Sequence, residues 1–394
     1  MFSVPGVEVP GLSGYRSAWR TADHDALAET VAAFFAKEVA PREAEFIAQG
    51  HPDPALYRKA GALGLLGLSI PEEYGGGGGD FSHETVLFEQ QAYAGDNSLG
   101  VAVHSGIVTG YLLAYGTEEQ KRAFLPPLCA GEMVASIAMT EPGGGSDLQA
   151  MRTSARVEGD ELVIDGSKTF ITNGMLAGLV LLAVKTDPDQ GAAGISLVLC
   201  DVRDAPAGFR RGRPLEKLGL HANDTAELFF DGLRVPASAI LGGQPGVGFF
   251  QMMQQLPQER LVIAVGAVAA MERALALTVA YAKERTAFGK PLIKHQNTRF
   301  ELAECAALVR SGRTFLDDLI ARHVAGGLDV PTAAMAKFHL TESQCTVIDR
   351  CLQLFGGYGF TTEYPIARMY ADARAQKIYG GTNEIMKELL ARAL

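Results

Sequence analysis

The sequence predicts an α+β chain with an N-terminal helical domain at 15–132, a middle antiparallel β domain at 133–242 and a C-terminal four-helix bundle at 243–394. Two observations predict it. In the first and last parts apolar residues recur every three or four positions; in the middle they fall into short runs of period near two, separated by Gly, Pro and Asp clusters. A length of 394 residues also exceeds one ordinary domain.

In the first part, Leu27, Val31, Phe34 and Phe35 share one helix face, and Pro41 is expected to stop that helix. Segments 84–94 and 105–115 repeat the pattern. The glycine run 75–79 must be a loop; no Lys-Ser/Thr follows it, so a flexible turn is a better reading than a phosphate loop. In the middle part, 156–158 and 162–165 flank a Gly-Asp turn and predict a hairpin. Further strands are expected at 179–184, 195–200 and 226–230. Long helical patterns then cover 249–283, 296–325 and 332–354.

Composition narrows the function. Hydrophobic residues make up 47% and charged residues 20%, an ordinary globular mix. A net charge of -10 argues against nucleic acid, whose phosphates need concentrated Lys and Arg. Five cysteines, without a CxxC, disfavour both a disulfide framework and a zinc site and suit a reducing compartment. Stretch 1–14 lacks a basic, apolar leader pattern. The longest apolar run of note, 261–271, is shorter than the ~20 residues a membrane span needs. A cytoplasmic protein that uses no membrane is the expectation.

Familiar motifs fail. No GxGxxG follows a strand, no Walker loop occurs, and Ser146 in Gly-Gly-Ser-Asp-Leu breaks the GxSxG elbow. His83-Glu84 lacks the second His of HExxH. The eight histidines are scattered, so no metal is expected; His104 and His295 are read as hydrogen-bonding residues.

Four other segments are unusual. In Ile137-Ala-Met-Thr-Glu-Pro-Gly-Gly-Gly-Ser-Asp147 an apolar strand enters glycines that let a ligand approach the backbone; a plain turn is equally compatible. In Lys168-Thr-Phe-Ile-Thr-Asn-Gly174, Phe170 and Thr172 could flank and hydrogen-bond a flat ring, or simply end a strand. In Arg285-Thr-Ala-Phe-Gly-Lys-Pro, Arg285 could pair with a pyrophosphate or sit at a helix C-terminus. The fourth joins Gln353-Leu-Phe-Gly-Gly-Tyr-Gly-Phe360 with Tyr379-Gly-Gly-Thr-Asn-Glu384, glycine pairs beside polar side chains.

Together, in this order, these segments resemble the acyl-CoA dehydrogenase family from about Asp23 to Leu394. Leu256-Pro-Gln-Glu-Arg260 and the ending from Ile378 are most similar to its long-chain branch. The resemblance implies FAD bound by Met139, Thr140, Gly145, Ser146, Phe170, Ile171, Thr172, Thr382, Asn383 and Glu384. It implies that Arg285, Phe288, Gln296, Gln353, Leu354, Gly356 and Gly357 reach the FAD of a neighbouring subunit in a homotetramer. On the substrate side it places Ser146, Phe250, Pro257, Gln258, Arg260, Tyr379, Gly380 and Gly381 around an acyl-CoA thioester. Many relatives have Trp where this chain has Phe170.

The informative departure is Gly380. Many family members carry their catalytic glutamate there; isovaleryl and long-chain branches supply it from the position of Glu259. Local physics supports Glu259 as the base. Its neighbours at three and four positions' spacing, Gln255, Leu256, Val262 and Ile263, include no Lys or Arg. Arg260 points about 100° away around the helix, and Pro257 is expected to kink it. Such desolvation makes a carboxylate a better base. The implied reaction is FAD-dependent α,β-dehydrogenation of a medium- or long-chain acyl-CoA to the trans-2-enoyl-CoA in β-oxidation. The Gly380 N–H would serve the thioester oxygen, and an electron-transferring flavoprotein would accept the electrons. Alternatives are an isovaleryl-type branched short-chain dehydrogenase, an acyl-CoA oxidase or flavin monooxygenase on the same fold, and a non-catalytic flavoprotein subunit.

Overall fold

The computed structural model describes residues 3, 4 and 7–394, with side chains from Val9 onward; stretch 1–14 lies partly outside them. The first part comprises α1 (Ala22–Phe34), α2 (Glu43–Gln49), α3 (Pro54–Ala62), α4 (Phe81–Ala94), α5 (Thr109–Tyr115) and α6 (Glu118–Cys129). Pro41 does not end the first helical path. After α1 the chain continues as a π turn, Phe35–Val39, and a 3-10 turn, Ala40–Arg42, whose first turn accepts the proline. A second π turn, His104–Val108, leads into α5.

The glycine run 75–79 is not the flexible turn expected of it. The N–H groups of Gly76, Gly77, Gly78 and Gly79 donate to the carbonyls of Pro71, Gly67, Ile70 and Leu68. A Cβ on Gly76 would lie 2.2 Å from the Ile70 carbonyl oxygen. Close backbone approach is what requires glycine here.

The middle part is a seven-stranded sheet of β1 (Ala135–Ala138), β2 (Ser154–Glu158), β3 (Glu161–Thr172), β4 (Leu179–Lys185), β5 (Ile195–Asp201), β6 (Phe209–Pro214) and β7 (Thr225–Pro236). Its order is β1-β4-β2-β3-β7-β6, with β5 also paired to β4. The expected hairpin is there, Glu158 opposite Glu161. The sheet is mixed rather than antiparallel throughout: β1 runs parallel to β4, Ala135 opposite Leu179, and Ser154 pairs parallel with Lys185. A parallel partner lies a long crossover away, so local period cannot reveal it. β6 was not foreseen, because its arginines break the alternation; among the described residues it is an edge strand paired only to β7, where exposed charge is tolerated.

The last part contains α7 (Gly248–Glu284), α8 (Gln296–Val324), α9 (Val330–Phe355), α10 (Pro365–Ala373) and α11 (Asn383–Ala391). α7 packs on α8 and α9, and α11 on α9. α7 is continuous through Pro257. By length and composition it could cross a membrane, which the run 261–271 understates, but 72% of its most apolar window is buried inside the molecule, as in a core helix. One apolar cluster joins Val31 and Phe88 to Val265, Leu316 and Val347. A second joins Tyr111 and Met252 to Leu181 and Leu197. Burial of these faces, at roughly 25 cal/mol per Å², holds the three parts together.

All five cysteines are free, four of them buried. The histidines are less scattered than the sequence suggests: His24, Asp80 and His83 bring ligand-type atoms within 4.8 Å of one another. Those atoms are already used. His24 Nδ1 accepts the Thr21 N–H at the start of α1, and His83 Nδ1 accepts the Asp80 N–H at the start of α4. The cluster is two helix caps side by side, with rings 4.3 Å apart. His104 bridges the Leu128 carbonyl and the Ala135 N–H, each at 3.0 Å; His295 meets the Ala287 carbonyl at 3.0 Å.

Candidate active site

β1 delivers Met139 and Thr140 into the loop Gly143–Gly145, and a buried ion pair fixes that loop. Lys168 of β3 is fully buried; its Nζ donates to the Met139 carbonyl at 3.0 Å and to Glu141 Oε1 at 2.9 Å. Glu141 also accepts the Arg152 and Thr153 N–H groups at 2.7 and 2.9 Å. Burial acts to raise the Glu141 carboxyl, but the Lys168 ammonium and these donors outweigh it and hold it at about 2. Lys168 itself is pulled down by burial, with Glu141 opposing. Beyond this anchor the N–H groups of Gly145 and Ser146 find no partner among the described residues, and a Cβ on Gly143 would meet nothing within 4 Å. Open, unpaired backbone donors suit an anionic or polar ligand.

The β3–β7 register breaks between Lys168 and Ile171. The irregularity turns Phe170 outward at φ 59°, 67% exposed. An exposed aromatic held in a left-handed conformation is an outlier that points to a ligand face. Ile171 returns to the sheet core, where its side chain packs among the strands. Thr172 is half-buried at the end of β3. Asn173, also left-handed, is a lock rather than a mere turn residue. Its amide donates to the Gly100 and Ala135 carbonyls at 3.1 and 2.9 Å and accepts from the Tyr57 hydroxyl at 3.0 Å.

Glu259 lies on α7, 7% exposed. The Tyr111 hydroxyl of α5 donates to its Oε1 at 2.8 Å. Burial raises the Glu259 carboxyl to about 7, against the opposing pull of Tyr111 and of Arg260. Arg260 makes no ion pair with it; its Nε and Nη1 are buried without a hydrogen-bond partner among the described residues. Ile263, one turn along the same face, touches the last loop: a Cβ on Gly380 would lie 2.3 Å from Ile263 Cδ1. The Gly380–Gly381 backbone, φ 66° and 87°, therefore passes over the helix face that carries Glu259. Lys337 Nζ pins this loop, donating to the Gly381 carbonyl at 2.7 Å and to Asn383 Oδ1 at 2.9 Å. Met139, Tyr111 and Met252 share one apolar cluster, so the glycine loop and the Glu259 region meet across it.

A separate cleft of about 530 Å³ lies at the far end of α7, lined by Tyr281, Arg285, Leu292, Gln353, Gly356 and Tyr358, with Leu354 and Gly357. The Thr286–Ala287 and Lys290–Pro291 hairpin turns at Phe288, 96% exposed at φ 53°. Gln296 is exposed at the start of α8. Glu259 and Glu284 are separated by roughly 38 Å of helix at 1.5 Å per residue, so this cleft does not serve the same chain's carboxylate.

Some expected contacts are committed elsewhere. Asn383 is buried, its amide spent on Lys337, Thr341 and Glu342, so its side chain does not face a cofactor. Gln258 donates to the Gly106 carbonyl at 2.7 Å and meets His323 Nε2 at 3.1 Å, and Pro257 is buried; both pack α7 rather than face a ligand. Thr382 caps α11 by accepting the Ile385 N–H. Phe250, Tyr379, Ser146 and Glu384 are exposed. Sequence reasoning missed Tyr111, Glu141 and Lys337. A lysine inside an apolar strand or helix was the one available signal, at Lys168 and Lys337.

Comparison with known proteins covers nearly the whole chain. The models "Acyl-CoA dehydrogenase, N-terminal domain", "middle domain" and "C-terminal domain" match residues 21–132, 136–233 and 246–394. The long-chain specific acyl-CoA dehydrogenase, mitochondrial, of Sus scrofa is 46% identical over 376 residues, 95% of this chain and 87% of that protein. The short-chain specific acyl-CoA dehydrogenase, mitochondrial, of Homo sapiens is 36% identical over 385 residues, 96% of this chain and 91% of that protein. The crystal structure of acyl-CoA dehydrogenase from Geobacillus kaustophilus matches with TM-score 0.93 and 43% identity, over 96% of this chain and 99% of that one.

Proposed function

The chain belongs to the acyl-CoA dehydrogenase family and is a flavin-dependent oxidoreductase, and we propose that it removes the α-proton and β-hydride of a medium- or long-chain acyl-CoA with Glu259 as the base. The observation that carries this is a buried carboxylate without a paired cation among the described residues, held near 7, opposite a glycine at 380. A base half-ionised at neutral pH balances availability against proton affinity.

The family is FAD-dependent, and this chain's residues fit the group. The unpaired N–H groups of Gly145 and Ser146 suit its polar parts, and outward-turned Phe170 suits a flat ring, with Met139, Thr140 and Thr172 beside them. When bound, FAD supplies the acceptor for the β-hydride. The thioester carbonyl acidifies the α-proton, Glu259 takes it, and the Gly380 N–H donates to the oxygen on which negative charge develops. The product is a trans-2-enoyl-CoA, a step of fatty-acid β-oxidation. An electron-transferring flavoprotein would be the electron acceptor.

The distance between the Arg285 cleft and Glu259 supports a homotetramer in which that cleft completes a neighbour's cofactor site. The 46% identity to a long-chain relative, against 36% to a short-chain one, favours longer acyl chains. Five free thiols favour a cytoplasmic, reducing location.

Glu259→Gln should purify yellow yet lose acyl-CoA-dependent flavin bleaching by at least about a hundredfold, the contribution typical of a general base. Bleaching at the parental rate would refute the assignment. The same assay over short, branched and long acyl-CoAs assigns the substrate. Peroxide formation with oxygen as sole acceptor would assign an oxidase instead.

A further inference from the structure

The two oxygens of Glu259 are treated differently by the fold. Oε1 accepts the Tyr111 hydroxyl at 2.8 Å; Oε2 accepts no hydrogen bond from the described residues and is not sealed from solvent. Tyr111 is fully buried, its ring packed in the cluster with Ile70, Leu112 and Leu197. Phenylalanine would fill that space as well. The hydroxyl is the one part of the side chain that packing does not demand, and it ends on the carboxylate.

We propose that Tyr111 is a positioning residue for the reaction: its hydroxyl holds Glu259 Oε1 and leaves Oε2 as the atom that takes the α-proton. This rests on the assignment of Glu259 as the base. Two consequences follow from the chemistry. A donor that can only give a proton to Oε1 orients the carboxylate, so the accepting oxygen is presented the same way in every turnover. A donor to an ionised carboxylate also favours the ionised form, countering the desolvation that raises Glu259. Tyr111 stays a donor throughout, since burial and the neighbouring carboxylate push its own ionisation far up.

The other titratable groups around Glu259 do not take this role. Tyr115, also on α5, bonds Gln254 at 2.9 Å. Arg260 acts on Glu259 through space without a hydrogen bond. Lys337 of α9 is committed to the Gly381 carbonyl and Asn383. His323 of α8 is held by Gln258, and its burial favours the neutral ring.

The test is the pH profile of kcat/KM in the FAD-loaded enzyme. Tyr111→Phe keeps the ring and removes the donor. Its acid limb should move up by about one pH unit, the order expected for losing one hydrogen bond to a charge. At pH 6 kcat/KM should then fall roughly tenfold further than it does above pH 9, where only the smaller, pH-independent loss from the unheld carboxylate should remain. FAD content should not change. Exchange of the acyl-CoA α-proton in deuterium oxide without an electron acceptor, followed by NMR, reads the base alone and should show the same displacement. Replacing Tyr111 by 3-fluorotyrosine, a stronger donor of nearly the same shape, should move the limb the other way, which keeps the test decisive if Tyr111→Phe folds poorly. An unmoved limb, or an equal loss at every pH, overturns the proposal. Glu259→Gln separates the two levels. If that variant still exchanges the α-proton at the parental rate, the base assignment falls. If it is silent while the Tyr111 variants keep the parental limb, only the role of Tyr111 falls.

Discussion

Gly380 is where one residue decides the chemistry of a whole loop. Its φ of 66° and the contact a Cβ would make with Ile263 Cδ1 at 2.3 Å mean that a side chain there is doubly resisted. Proline is excluded outright, because its ring fixes φ near −65°; Gly380→Pro would displace the loop as well as remove the N–H, so it does not isolate the oxyanion role. Gly380→Ala is the cleaner probe. It should lower turnover several-fold while FAD is retained, and Ile263→Ala in the same chain should restore part of the loss by clearing the Cδ1 contact. A full-speed Gly380→Ala enzyme would show that the loop does not carry the thioester. The sequence revealed the missing glutamate at this position because absence is a local property. It did not reveal that Ile263 is what the bare backbone rests on.

At the scale of elements, β3 is joined to the loop that follows β1 by the buried Lys168–Glu141 pair and by the Thr169 N–H, which donates to the Thr140 carbonyl at 3.0 Å. Removing one partner of a buried pair leaves the other uncompensated, typically at a cost of about 3–5 kcal/mol. Lys168→Met should therefore lower the melting temperature and weaken FAD retention, because the glycine loop loses its anchor. The sign with pH is set by Glu141, whose carboxyl is held down at about 2. Its contribution is full above the ordinary carboxylate range, near 4, and fades as pH falls towards 2. In Lys168→Met the Glu141 carboxyl rises for want of the ammonium, so that acid-side loss should shrink, measurable by thermal melts between pH 6 and 3; an unchanged melting curve would deny the anchor. The strand carrying Lys168 was legible from its apolar run, and the bulge that turns Phe170 out was not, since register depends on the partner strand.

For the whole molecule, the separation of the Arg285 cleft from Glu259 has a consequence for assembly. A cofactor site split between chains predicts a particle of at least twice 41.9 kDa by light scattering, and the proposed homotetramer four times that mass. It also predicts that Arg285→Glu loses FAD although it leaves its own chain's glycine loop intact. A monomer that binds FAD with parental affinity would contradict this. The buried Arg313, bonded to Glu272 of α7 at 2.8 Å and to Glu89 of α4 at 2.5 Å, joins the first helical part to the last within each chain.

By itself the sequence determined the order of helical and β parts, the four ligand-type segments and the carboxylate available once position 380 lacked one. These are local properties: period, turn chemistry and the presence or absence of a side chain at a given place. The tertiary structure alone decided that Tyr111 meets Glu259 across 148 residues of chain, that β1 lies parallel to β4, and that the side chains of Ile171, Gln258 and Asn383 are taken up by the sheet core, by Gly106 and His323, and by Lys337. A tyrosine on a helix face looks the same in sequence whether its hydroxyl reaches water or a buried carboxylate. Only the packing of one element on another settles which partner it finds.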